Sequence, residues 1–403
     1  MLSETPGERG AAVAVAATPA APDAGAPPPT RLGYVDGLRA LAALYVVISH
    51  SGQEIWPRHA PGAFVGALVY GRFAVSVFIV LSGFSLMLPV ARRGNRLPWG
   101  VWGFYWRRAR RILPPYYCAM ALSLLLIWLL IGQTTGTHWD IALPITRQAI
   151  IEHLLLLQDF THANYATINY TFWSIAMECQ IYLVFPLLIL LWRRYPPLMA
   201  MGLVVALSLL LLFALALTWV GRLPDYAGTE FAPQYFGLFA MGMFAASVYT
   251  APSPRWNRLR DWCFWEAVSL VCFGMVVLNS AAWPLWKLDL ALGAGTIGLL
   301  LAASRPGRLN PIHAALSWRP LVWIGGFSYS VYLIHAPLLQ VLWQYGLRPL
   351  GLSALPTYLA LVALGLPLIV AASWGFWYVC ERPFLNSKPL GWRASVRTAG
   401  KTR

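Results

Sequence analysis

From Tyr34 onward, long apolar runs alternate with short polar stretches that carry most of the charge. At about 20 apolar residues per bilayer crossing, the runs predict ten helical spans, at about 34–55, 71–91, 112–132, 172–192, 198–220, 233–250, 263–281, 288–304, 321–345 and 356–380. Gly132 to Thr171 is the one long segment between spans, and Ile150–Leu157 within it reads as a short re-entrant or interfacial helix. Residues 1–33 are rich in Ala and Pro and lack the Leu-rich stretch of a signal peptide, which predicts a disordered tail that stays attached. Residues 386–403 form a second, basic tail.

Composition narrows the fold class. Of 403 residues 58% are hydrophobic and only 11% charged, too few charges to cover a soluble surface. The 20 Trp, 18 Tyr and 18 Phe suit the membrane–water interface. The expectation is an all-α polytopic membrane protein. The net charge of +15 would also suit nucleic acid, so the position of the charges decides. With the N-terminus inside, the inner segments hold Arg92, Arg93, Arg96, Arg107, Arg108, Arg110, Arg111, Arg193, Arg194, Arg255, Arg258, Arg260, Arg305, Arg308, Arg319 and Arg382 together with the basic residues of both tails, whereas the outer ones hold Arg58, Arg147, Arg222, Lys287 and Arg348. That bias predicts ten spans with cytoplasmic N- and C-termini. It accounts for the basic balance by orientation, without nucleic acid. Cys118, Cys179, Cys263, Cys272 and Cys380 show no metal-ligand spacing and read as small core residues, so neither a metal nor redox chemistry is expected.

Ionisable side chains on a span are costly and mark candidate sites. In the first span Arg39 and His50 are eleven residues apart, three helical turns plus roughly 20°, so they share a face about 16 Å apart. Asp36 can pair with Arg39 or cap the helix start. Arg39 could equally snorkel to the inner interface, and His50 could satisfy a neighbouring carbonyl. The fourth span puts Ser174 and Glu178 on one face, and the ninth carries His335. At about 1.5 Å per residue, His50 lies about 24 Å and His335 and Glu178 about 21 Å above the inner boundary. Three spans thus bring ionisable groups to one level. Glu266 and Asp289 lie near span ends and read as interfacial. Four Arg among residues 107–111, just before Pro114 and Pro115, fit either a positive-inside anchor for anionic lipid heads or a phosphate-binding cluster.

Six stretches, taken in order, resemble the landmarks of the membrane acyltransferase-3 family. They are DGLR…H in the first span, GRFAVSVFIVLSGF, RRARRILPPYY, FWSIAMECQIY, SYSVYLIHAP and WYVCERPFL, covering about Tyr34 to Leu385. The resemblance implies an acyltransferase domain over 34–385. It would move an acyl group, most commonly acetyl, from cytoplasmic acyl-coenzyme A to a hydroxyl of a cell-surface polysaccharide, lipid-linked glycan or secondary metabolite, in a bacterial inner membrane. Carried over, His50 and Glu178 would be catalytic, and Arg39, Arg107, Arg108 and Arg111 would hold the coenzyme A phosphates. Asp36, Trp173, Ser174 and His335 would support the site or bind the acceptor. Glu178 would orient His50 and balance its charge. Two positions depart from the pattern: Cys179 stands where a second acid is frequent, and Ser76 where many members have an Asp, leaving Arg72 without that partner. Membrane lipid is the surrounding partner, and the oligomeric state is left open. A transporter or flippase using the intramembrane His, Arg and Glu is the alternative, although no repeated halves are visible.

Overall fold

In hydrocarbon the backbone has to satisfy its own hydrogen bonds, so runs of Leu, Ala, Val and Phe at this length fold as helices. The computed structural model describes residues 32–57, 71–219, 231–251, 262–280, 282–305 and 310–385, and contains no strand among them. The chain divides into Met1–Leu32 and Gly33–Arg403, and every described helix belongs to the second unit. Apart from Leu32 and Gly33, the expected tails lie outside the described residues, as do Arg58, Arg222, Arg255, Arg258, Arg260 and Arg308.

The helices are α1 Gly33–Ile55, α2 Arg72–Ala91, α3 Gly100–Leu126, α4 Arg147–Leu155, α5 Trp173–Arg194, α6 Pro197–Trp219, α7 Gln234–Thr250 and α8 Trp262–Asn279. They continue with α9 Leu285–Ala303, α10 Pro311–Leu316, α11 Arg319–Gly325, α12 Ser328–Val341, α13 Ala354–Ala360, α14 Leu366–Phe376 and α15 Arg382–Leu385, with π-helical turns extending α3 and α12 and joining α13 to α15. Nine of the predicted spans fall on helical stretches over their described residues, and the remaining one, 321–345, is broken into two helices at Gly326–Phe327. Six helical stretches among them are long and apolar enough to cross a membrane: Arg72–Ala91, Gly100–Ile131, Trp173–Arg194, Pro197–Leu217, Leu285–Ala303 and Ala354–Leu385. A seventh results if Arg319–Gly325 and Ser328–Leu350, bent by 75° at their junction, form one span. The other three fall short by composition or length: α1 carries Asp36, Arg39 and Glu54, α7 has 17 residues, and the apolar part of α8 is Phe264–Asn279.

Helix α7 is buried almost throughout and packs against α2, α6 and α9. Glycine allows this approach: a Cβ at Gly242 would stand 2.0 Å from the Val80 carbonyl oxygen, and one at Gly83 2.1 Å from that of Phe239. Backbones meet directly there, which only small residues permit. In contrast, α6 exposes Leu207, Leu210 and Leu217, a contiguous apolar surface suited to lipid.

Helix α1 packs against α11 and α12. A Cβ at Gly325 would lie 1.9 Å from the Asp36 carbonyl oxygen. The junction at Gly326–Phe327 then redirects the chain, so that α12 runs through the core and buries His335 completely.

Helix α3 corrects an expectation. It starts at Gly100 and not near residue 112, so Arg107–Arg111 lie on the helix and Pro114 and Pro115 inside it. An interior proline removes an N–H and crowds the carbonyl four residues earlier, and helices in a membrane bundle tolerate it where neighbouring groups re-satisfy the freed backbone. The segment 132–171 folds into a 3-10 turn at His138–Ala142, α4, and a turn at Gln158–Phe160. The short helix expected at 150–157 is α4, which runs three residues earlier at its start and ends at Leu155. Trp139 is fully buried. Asn169 Nδ2 donates to the Leu333 carbonyl at 3.1 Å and to Ser123 Oγ at 3.2 Å. Leu333 lies four residues before Pro337, whose missing N–H leaves that carbonyl without a helical partner.

Candidate active site

The eleven-residue spacing on α1 directs His50 and Arg39 into two different cavities. His50 Nδ1 lies 2.8 Å from His335 Nε2, with the rings stacked at 5.0 Å between centroids. His335 Nδ1 is 2.8 Å from the Tyr332 carbonyl and 3.1 Å from that of Val331. Carbonyls only accept, so His335 carries its proton on Nδ1, and in the neutral ring its Nε2 is an acceptor. His50 therefore donates through Nδ1, which leaves the His50 Nε2 lone pair free. The network makes this tautomer assignment, and a base or nucleophile at Nε2 follows from it.

His50 opens onto a cavity of about 220 Å³ lined also by Gln53, Arg72, His138, Tyr165 and Tyr170. Tyr170 packs edge-on against His50 at 5.0 Å and against His138 at 4.7 Å, and donates to Glu54 Oε1 at 3.3 Å. Gly71 makes room: a Cβ there would lie 2.8 Å from Ser49 Oγ and 3.3 Å from His50 Cδ2. In the segment 132–171, burial pushes His138 down to about 4, so it is neutral at physiological pH.

A larger cavity of about 410 Å³ lies around Arg39, Arg107, Arg108, Arg111 and Glu178. Arg39 bonds Asp36 Oδ1 at 3.1 Å and Ser85 Oγ at 2.6 Å, which fixes its guanidinium inside the fold, whereas a snorkelling Arg would reach for the interface. Arg107 lies over the Trp99 ring at 3.4 Å from its centroid. Glu178 accepts from Tyr182 and, at 2.9 Å, from Ser82 Oγ. Its charge acts on Arg108, and Arg111 acts on both Arg108 and Arg39.

The structure thus joins His50 with His335 and gathers Arg39, Arg107, Arg108, Arg111 and Glu178 around a second cavity. The expected partnership of Glu178 with His50 has a different geometry: the ring nitrogen of His50 meets His335, and Glu178 faces the arginines. Trp173 lines the histidine cavity and stacks with Tyr235, with Arg72 over its ring at 5.5 Å. Ser174 lines the arginine cavity and bonds Tyr332 OH at 2.6 Å.

Several residues escaped the sequence reading. Asp289, expected at the interface, is 1% exposed and accepts from Ser76 at 2.6 Å and Gln234 at 3.0 Å. Helix α9 begins at Leu285, three residues before the predicted span, which draws Asp289 inside. Its charge interacts with Arg72, so an acid reaches that arginine from another helix despite Ser76. Tyr332, three residues before His335 in SYSVYLIH, gave a signal by spacing alone. Tyr170 and His138 gave none. Among the described residues no group of His, Cys, Asp and Glu is placed to hold a metal.

Residues 32–378 match a family model described as an acyltransferase domain, that of acyltransferase-3. The chain is 25% identical over 336 residues to a protein named peptidoglycan O-acetyltransferase OatA from Listeria monocytogenes, covering 76% of this chain and 49% of that one. It is 25% identical over 354 residues to acyltransferase MdmB of Streptomyces mycarofaciens, covering 80% and 81%. With the O-acetyltransferase OatA of Staphylococcus aureus it shares 25% over 369 residues, 85% and 56%. It therefore spans about half the length of these OatA relatives. No solved structure matches the chain.

Proposed function

The chain belongs to the acyltransferase-3 family, and on that premise we propose that it is an integral membrane O-acyltransferase moving a short acyl group, acetyl above all, from acyl-coenzyme A to a hydroxyl of a glycan, lipid-linked glycan or secondary metabolite. The observation that carries this reading is the free Nε2 of His50, fixed by His335, one cavity away from the half-buried Arg39, Arg107 and Arg108 and the exposed Arg111. Ten spans with both termini in the cytoplasm of a bacterial inner membrane set the arginine cavity on the cytoplasmic side, where acyl-coenzyme A is found. Names of relatives that specify O-acetyl transfer support the same chemistry. They favour it over a transporter or flippase.

Arg39, Arg107, Arg108 and Arg111 hold the phosphates through bidentate, charge-assisted bonds. Glu178 balances part of that positive charge. His50 Nε2 removes the proton from the acceptor hydroxyl, whose oxygen attacks the thioester carbonyl; the C–O bond forms, the C–S bond breaks, and the proton passes from His50 to the departing thiolate. His335 accepts the His50 Nδ1 hydrogen bond throughout and keeps the ring oriented. Asp36 and Ser85 hold Arg39 in place.

The test is thiol release from acetyl-coenzyme A by purified protein, with and without hydroxyl-bearing acceptors. Wild type should turn over and His50→Ala should lose at least about 100-fold while inserting normally. A His50→Ala variant keeping half of the wild-type rate would sink the assignment.

A further inference from the structure

Two residues line both cavities, Val75 of α2 and Tyr332 of α12. His50 faces the smaller cavity alone, and the arginines face the larger. An acyl group tethered among the arginines therefore has to pass Val75 and Tyr332 before its carbonyl meets His50 Nε2. Tyr332 closes that passage as a bar between two helices. Its hydroxyl is 2.6 Å from Ser174 Oγ in the first turn of α5 and donates at 3.1 Å to the carbonyl of Thr171, two residues before that helix, and its ring packs edge-on against Phe78 at 5.9 Å. Val75 and Tyr332 are each 6% exposed.

Resting on the acyltransferase reading, we propose that Tyr332 and Val75 form the gate through which the acyl group crosses from the arginine cavity to His50, and that their bulk restricts the transferred group to short chains. A packed interior does not take extra methylenes without displacing its neighbours. The histidine cavity, about 220 Å³, is also smaller than the roughly 300 Å³ at which ordinary ligand sites begin, and it has to admit the acceptor hydroxyl as well as the acyl carbonyl. Opening the gate requires Tyr332 to swing away from Ser174 and Thr171. The gate therefore has a steric part, set by ring and side-chain volume, and a latch, set by the hydroxyl.

The experiment compares thiol release from acetyl-, butyryl- and hexanoyl-coenzyme A by wild type, Val75→Ala, Tyr332→Leu and Tyr332→Phe in detergent, each checked for monodisperse elution. Wild type should favour acetyl over hexanoyl by at least about tenfold in kcat/KM, the scale at which a pocket discriminates methylenes. Val75→Ala and Tyr332→Leu should compress that ratio to within about threefold. Tyr332→Phe, which keeps the ring and removes the latch, should keep the acetyl preference. A merely structural role would lower all three donors in proportion, so an unchanged ratio in both Val75→Ala and Tyr332→Leu overturns the gate, and Val75→Ala alone decides if Tyr332→Leu fails to fold. Equal use of acetyl and hexanoyl by wild type overturns the gate and leaves the acyltransferase reading standing. Wild type that releases thiol from none of the three overturns both.

Discussion

His335 is wholly buried and spends its Nδ1 on carbonyls of its own helix, so truncating it frees the His50 ring to rotate without touching the arginine cavity. His335→Ala should lower kcat by about 100-fold with donor KM little changed. His335→Gln, whose carbonyl can still accept from His50 Nδ1, should retain more. Equal rates for wild type and His335→Ala would show that the pair has no part in proton transfer. Glu178 makes the opposite forecast. Because it sits among guanidiniums, Glu178→Gln should strengthen anion binding, lowering donor KM by about threefold or more with kcat within about twofold; a collapse of kcat at constant KM would return it to the side of His50. Both histidines are legible in the sequence as ionisable groups on apolar runs, and counting residues along each helix places them at one height. The same count places Glu178 there, yet height along the membrane normal says nothing about direction around the helix bundle. A contact between residues 285 positions apart is written in packing, and no local spacing encodes it.

At the scale of helices, the direct backbone contact between α2 and α7 is the feature most open to test. Gly242→Ala would place a methyl 2.0 Å from the Val80 carbonyl oxygen and should either abolish monodisperse protein or cost more than about 3 kcal/mol in detergent. Gly202→Ala on α6, where nothing lies within 4 Å, should be neutral or slightly stabilising. Similar unfolding midpoints for the two variants would show that α2 and α7 do not depend on this approach. The positions of the helices are readable because apolar runs of bilayer length have one structural solution. Their ends are less so. The stretch GVWGFYWRRAR is too mixed in polarity to read as part of a span, although its aromatic and arginine residues continue α3 without a break. In the other direction, hydropathy runs smoothly across Gly325–Gly326 and hides the 75° turn there.

For the molecule as a whole, His138 in the segment 132–171 ties stability to pH. His138 is held at about 4 in the fold against about 6.5 in an unfolded chain, so the unfolded state binds the extra proton between those values and stability falls as pH drops from 6.5 towards 4. Above 6.5 the contribution is constant. His138→Asn should therefore narrow the difference in unfolding midpoint between about pH 7.5 and about pH 5, and an undiminished difference would acquit this residue. The helical bundle was accessible from the apolar runs, which extend over most of the chain, whereas the docking of residues 132–171 rests on single polar atoms. One of these sets an order of assembly. Pro337 leaves the Leu333 carbonyl vacant in its own helix, and Asn169, made more than 160 residues earlier, fills it. The early loop has to wait for the late helix, and so does His50 for His335. A nascent chain halted before α12 thus has neither a seated 132–171 segment nor an oriented imidazole, and the chemistry comes into being only once residues 328–341 have been made.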